Sequence, residues 1–157
     1  MNRIEKIREV IDEMLLIKKD AWDRRCAYVH LYGVSLICGL LAKQRGANVE
    51  LAVMIGMLHD LYSYKTEGEP LIEDKVLKSA KDAEVACEIL DTLNITTTNE
   101  TDAVCYAVSY RRLGEYSELG EILLDANLIQ HAYYNPLLPV KYGEERLPEL
   151  LADFGIS

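Results

Sequence analysis

LAVMIGMLHDLY, residues 51–62, is the stretch on which the reading of this chain turns. From Leu51 to Leu58 every side chain is apolar or absent, and then His59 and Asp60 stand side by side. Asn48 is placed to cap a helix there, and Glu50 in its first turn favours the helix dipole. An imidazole and a carboxylate at the end of such a run are costly to bury unless something pairs with them. A divalent cation does so, because both groups are good ligands for borderline or hard first-row metals.

Outward from this segment the periodicity is helical throughout. Residues 2–18 place Ile4, Ile7, Val10, Ile11, Met14 and Leu15 on one face, which predicts an amphipathic helix. A second helix runs from about Ala21 to Gln44, with Gly46 as its stop. Residues 66–70, TEGEP, form a turn. Helical patterns resume over 72–78, 80–93, 98–111 and 117–132, and a short helix over 144–153 ends the chain. No period-two run with hairpin chemistry appears. The expected fold is all-α and single-domain over residues 1–157, with a core at about 21–135 and a helix from each end packed on it.

The chain has 157 residues, half of them apolar, and a formal net charge of -9. That length suits one substantial core. The acidic balance argues against a polymeric nucleic-acid partner but leaves room for a small phosphorylated ligand held by local cations. Cys26, Cys38, Cys87 and Cys105 show no metal-type spacing and read as small buried hydrophobes in a reducing compartment. No run approaches the length of a membrane span, and the N-terminus lacks the continuous apolar stretch of a signal peptide. The expectation is a cytoplasmic protein with no membrane partner, a homodimer being one open option.

Only three histidines occur, at positions 30, 59 and 131. His30 lies mid-helix in RRCAYVHLYGVSLICGLLA, on the side of Ala27, Val34 and Ile37. Asp125 is flanked by apolar residues in GEILLDANLIQ. Singly, each reads as a satisfied core or surface residue; together with His59 and Asp60 they form an ordered set from three helices. This order, H…HD…D, with the flanking text over about 24–135, resembles the HD-domain superfamily of metal-dependent phosphohydrolases. The resemblance implies a helical bundle in which His30, His59, Asp60 and Asp125 converge on one divalent ion (Mn, Mg, Fe, Co or Ni). It also implies that this ion acidifies a water and polarises a phosphoryl oxygen, with Asp60 helping to orient or deprotonate the water.

The chain departs from family patterns in three places. No histidine lies between residues 59 and 131, so the two-metal arrangement of many relatives is not expected and a mononuclear site is. Ser63 stands where nucleotidase relatives carry glutamate, and Asn127 where an aspartate is common. His131, six residues beyond Asp125, falls on another side of its helix and reads as structural. Arg25, Lys65 and Arg111 are the candidate substrate cations, each equally readable as a solvated surface charge, and Arg111 is favoured because it aligns with a site-facing position in relatives. Tyr62, Tyr64, Tyr133 and Tyr134 read either as core rings or as stacking partners for a base. The function expected is hydrolysis of a small phosphorylated compound, a nucleotide among the candidates. The alternative is a non-catalytic HD module that binds nucleotide or metal as a sensor, and a helical scaffold with a leftover polar network is the third reading.

Overall fold

The computed structural model describes residues 2–65, 72–110, 116–134 and 144–156. Among them every regular element is a helix: α1 (Arg3–Leu16), α2 (Ala21–Arg45), α3 (Val49–Leu58), α4 (Tyr62–Lys65), α5 (Lys75–Leu93), α6 (Thr98–Tyr110), α7 (Glu118–Tyr134) and α8 (Leu147–Asp153), the last entered through a 3-10 turn at Glu144–Arg146. The all-α expectation holds. The patterns over 72–78 and 80–93 merge into one helix, α5, and the single turn α4 is an addition.

Local chemistry sets the boundaries. Asn2, Asp20, Asn48 and Asp74 each accept backbone N–H groups at the starts of α1, α2, α3 and α5, the capping role these side chains favour. Thr97 and Glu100 exchange reciprocal bonds at the start of α6, a capping box. At the end of α2, Gly46 takes the left-handed conformation at φ 70°, which glycine adopts without penalty.

α3 is the hub. It is apolar on all sides, buries Leu51, Ala52, Met54, Ile55, Met57 and Leu58, and packs against α1, α2, α5, α6 and α7. A helix apolar all round belongs inside a protein, and each such side chain contributes roughly 1.5–3 kcal/mol of burial. α2 lies beside it, with Ala27, Leu31, Val34, Cys38 and Leu41 inward and Trp22, Val29, Leu36 and Leu40 exposed. By length and composition alone α2 could cross a membrane, which corrects the reading that no run approaches that length.

α1 is fastened at both ends. Ile7, Ile11 and Leu15 are fully buried, and the Tyr32 hydroxyl donates to Asp12. Arg3 donates to Glu50, to Glu100 at 2.9 Å and to the Ile95 carbonyl at 3.2 Å, joining α1 to the starts of α3 and α6.

The cysteine expectation needs one correction. Cys87 of α5 and Cys105 of α6 form a disulfide, because these helices pack side by side and present the two positions to each other with Cα atoms 6.0 Å apart. Cys38 is buried as a thiol and Cys26 half-buried.

Candidate metal centre

His59 caps the C-terminus of α3, so the helix that forms the hub delivers His59 and Asp60 where its backbone ladder runs out. The His59 ring is 1 % exposed. Its Nδ1–H donates to the Gly56 carbonyl at 2.7 Å, one of the last-turn carbonyls a helix leaves unpaired. A carbonyl can only accept, so in the neutral ring the lone pair sits on Nε2.

His30 arrives from the middle of α2. Its Nδ1 meets Oε1 of Gln130, on α7, at 3.1 Å, which likewise leaves Nε2 as the acceptor nitrogen. The two Nε2 atoms face each other at 3.1 Å, and Asp60 Oδ2 lies 3.7 Å from His30 Nε2. Two lone pairs aimed at each other repel, and a cation between them turns that repulsion into ligation. One ligand atom each from His30, His59 and Asp60 lies within 4.8 Å of the others. Two imidazole nitrogens and a carboxylate oxygen, with both rings oriented through their far nitrogens by oxygen acceptors, are a donor set that fits a first-row divalent ion.

Asp125 is not with them. It is 1 % exposed, as its apolar flanks suggest, but its carboxylate accepts from Arg45 at 2.7 Å and from Arg146 at 3.2 Å. The structure thus brings His30, His59 and Asp60 of the anticipated H…HD…D set together, while Asp125 ties α7 to the end of α2 and to the start of α8. Along the same pair of helices α7 sets Gln130 and His131 beside His30, and Asp125 beside Arg45 at the far end of α2.

Two of the three anticipated substrate cations are among the described residues. Lys65 pairs with Glu88 at 2.6 Å beside a cleft of about 210 Å³ lined by Val10, Met14, Val85 and Ile89, not with the His–Asp cluster. The Arg25 guanidinium lies over the exposed Trp22 ring at 4.6 Å, which matches the surface reading of that residue. Arg111 lies outside the described residues.

Four residues at the cluster were not anticipated for it. Lys78 of α5 donates to Asp60 Oδ1 and, at 3.0 Å, to Asp82 Oδ2. Asp82, fully buried, also accepts from the Tyr62 backbone N–H at 3.1 Å, fixing the start of α4 directly after the HD pair. Gln130 orients His30. The His131 ring centroid is 5.2 Å from that of His30, as near as His59 at 5.0 Å. The i, i+4 spacing of Lys78 and Asp82 is visible in the sequence, but it carries no hint that Asp60 completes the trio. Tyr64 is partly buried beside this region, and its phenol is pushed up by burial first and by the Asp60 charge second.

With this geometry in hand, comparison with known families gives a direct answer. The HD-domain family model matches residues 27–149, most of the chain, and the protein belongs to the HD-domain family. No curated protein and no solved structure matches the chain. The family is commonly one of metal-dependent phosphohydrolases, and the three clustered ligands are consistent with that class.

Proposed function

We propose that this protein is a metal-dependent phosphohydrolase acting on a small phosphorylated compound, with a nucleotide the leading candidate and one divalent ion (Mn, Mg, Fe, Co or Ni) as cofactor. The observation that carries this reading is the facing pair of Nε2 atoms on His30 and His59 with the Asp60 carboxylate beside them. When bound, the ion supplies Lewis acidity toward water and a phosphoryl oxygen. The chain's own residues do the rest. Gly56 and Gln130 hold the two imidazoles in one orientation, and Asp60 orients and deprotonates the attacking water. Lys78 balances the Asp60 charge and offers an ammonium for a charge-assisted bond to the phosphate.

The charges favour an anionic ligand despite the acidic chain. A divalent ion and Lys78 set against Asp60 and Asp82 leave the centre formally positive by one, and a phosphate monoester relieves that. Self-association as a homodimer belongs to the same proposal, and sedimentation velocity reads it.

The test is a panel of phosphomonoesters and nucleotides assayed with each of the five metals. Turnover with at least one metal is expected, and His59→Ala should reduce it by about 10³-fold or more, the scale at which catalytic groups act. A second reading, a sensor that binds without turning over, draws on the Lys78 contact to Asp60 and on the withdrawal of Asp125 into its arginine pair. Tight nucleotide binding with no turnover across the panel would favour it.

A further inference from the structure

We propose that the Lys78 ammonium holds a second cation seat beside the metal. The centre is then a mixed pair, one exchangeable divalent ion and one cation built into the chain. This rests on the metal reading above and extends it to the number of ions the centre takes. The seat is defined by carboxylate oxygens. Asp60 sets Oδ2 3.7 Å from His30 Nε2 and gives its other oxygen, Oδ1, to Lys78 Nζ. The same ammonium donates to Asp82 Oδ2 at 3.0 Å, while Asp82 Oδ1 accepts the Tyr62 backbone N–H at 3.1 Å. Asp60 therefore bridges the two positions, with one oxygen toward each, and Asp82 stands on the ammonium's side.

An ordinary i, i+4 ion pair on a solvated helix face would explain Lys78 and Asp82 if both were exposed. They are not. Asp82 is fully buried, and the Lys78 and Asp60 side chains are only 20 % and 21 % exposed. Two carboxylates sharing one contact, one of them out of water, need a cation between them. Lys78 of α5 supplies it from one turn before Asp82. An ammonium has three N–H donors; two go to Asp60 and Asp82, and the third is left for an oxygen of a bound phosphate. The consequence is a fixed stoichiometry. While Lys78 fills the seat, the chain takes one divalent ion however much is supplied. Without the ammonium, the oxygens of Asp60 and Asp82 offer a hard, carboxylate-only seat of the kind that suits manganese. The remaining exposure of Lys78 and Asp60 gives a solvated ion a way in.

The full chain, stripped of metal, would be titrated with Mn²⁺ and with Co²⁺ by calorimetry, and the bound Mn²⁺ examined by electron paramagnetic resonance. Wild type should take one ion per chain and show an isolated Mn²⁺ signal. Lys78→Ala should take two Mn²⁺ and show a spin-coupled pair, whereas Lys78→Arg, which keeps a cation in the seat, should stay at one. Propylammonium, the part of the lysine side chain that alanine lacks, should displace the second Mn²⁺ from Lys78→Ala. Two ions in wild type or in Lys78→Arg, or one ion in a folded Lys78→Ala, overturns the proposal. A second Mn²⁺ that propylammonium fails to displace lies elsewhere and overturns it as well. Should Lys78→Ala fail to fold alone, thermal melts with Mn²⁺ or propylammonium decide: recovery of the fold by either supports the seat, and recovery by neither overturns it. A wild-type chain that binds neither Mn²⁺ nor Co²⁺ removes the metal reading itself, and this extension with it.

Discussion

Gly56 is where one missing methyl group sets a helix contact. A Cβ built there would lie 2.4 Å from Ser35 Cα and 2.7 Å from Ser35 N, so α3 lies against the backbone of α2 at this point. The neighbour is main chain and cannot swing aside. Gly56→Ala should therefore destabilise the fold by about 1–3 kcal/mol, the scale of overpacking, read as a lower urea midpoint. Because the Gly56 carbonyl also takes the His59 Nδ1–H, the same variant should weaken metal binding. Asp125 offers the complementary case. Removing a carboxylate that is buried beside Arg45 and Arg146 costs its charge-assisted bonds, and because both guanidinium groups keep contact with solvent, Asp125→Ala should cost about 1–3 kcal/mol in chemical denaturation. The sequence made the burial of Asp125 legible through its apolar flanks. Its partner was not legible, because Arg45 and Arg146 are distant in sequence and a buried acid is satisfied equally well by guanidinium or by metal.

Among elements, the helices were readable because apolar residues recur at the helical period and polar caps mark the starts. Rotational phase was the weaker inference. α7 reads as a helix from GEILLDANLIQ, yet nothing local says which of its polar side chains meets which residue of α2, where Gln130 reaches His30 and Asp125 reaches Arg45. α5 reads as two pieces around residue 79, where Ser79 is buried inside one continuous helix. The Cys87–Cys105 pairing likewise needs the packing of α5 on α6, which no spacing rule contains. Arg3 gives a prediction with a sign. It holds the Glu50 carboxyl below its usual range, and it adds to the lowering of Glu100, which comes first from the Thr97 backbone N–H. Carboxyls depressed in the folded state add stability above their unfolded value and lose it as pH falls through the folded one. Arg3→Met should thus be less stable than wild type at pH 7, by about 1 kcal/mol for these solvent-facing pairs. The gap should close in acid, as thermal melts at pH 7 and pH 3 would show.

For the molecule as a whole, the family match begins at residue 27, but the physical unit begins earlier. α1 lies before that boundary and still puts Ile7, Ile11 and Leu15 at zero exposure in the common core. Three such side chains at roughly 1.5–3 kcal/mol each are comparable with the whole net stability of a small domain. A chain beginning at Asp20 should lose its cooperative melt and most of its helical ellipticity in circular dichroism; a sharp melt near that of the full chain would show that α1 is dispensable. The Lys78 ammonium, set between Asp60 and Asp82, has a bearing on how this molecule takes up its cofactor. It is a resident counter-ion, so one of the two acidic charges at the centre is balanced by the chain itself, and metal uptake becomes an ion exchange at a finished fold. Structural zinc domains work the other way, their ligands gathering only when the metal arrives. Chelator treatment should accordingly abolish metal-dependent activity and leave the helical spectrum intact, and Lys78→Met should alter metal affinity while the bundle still forms.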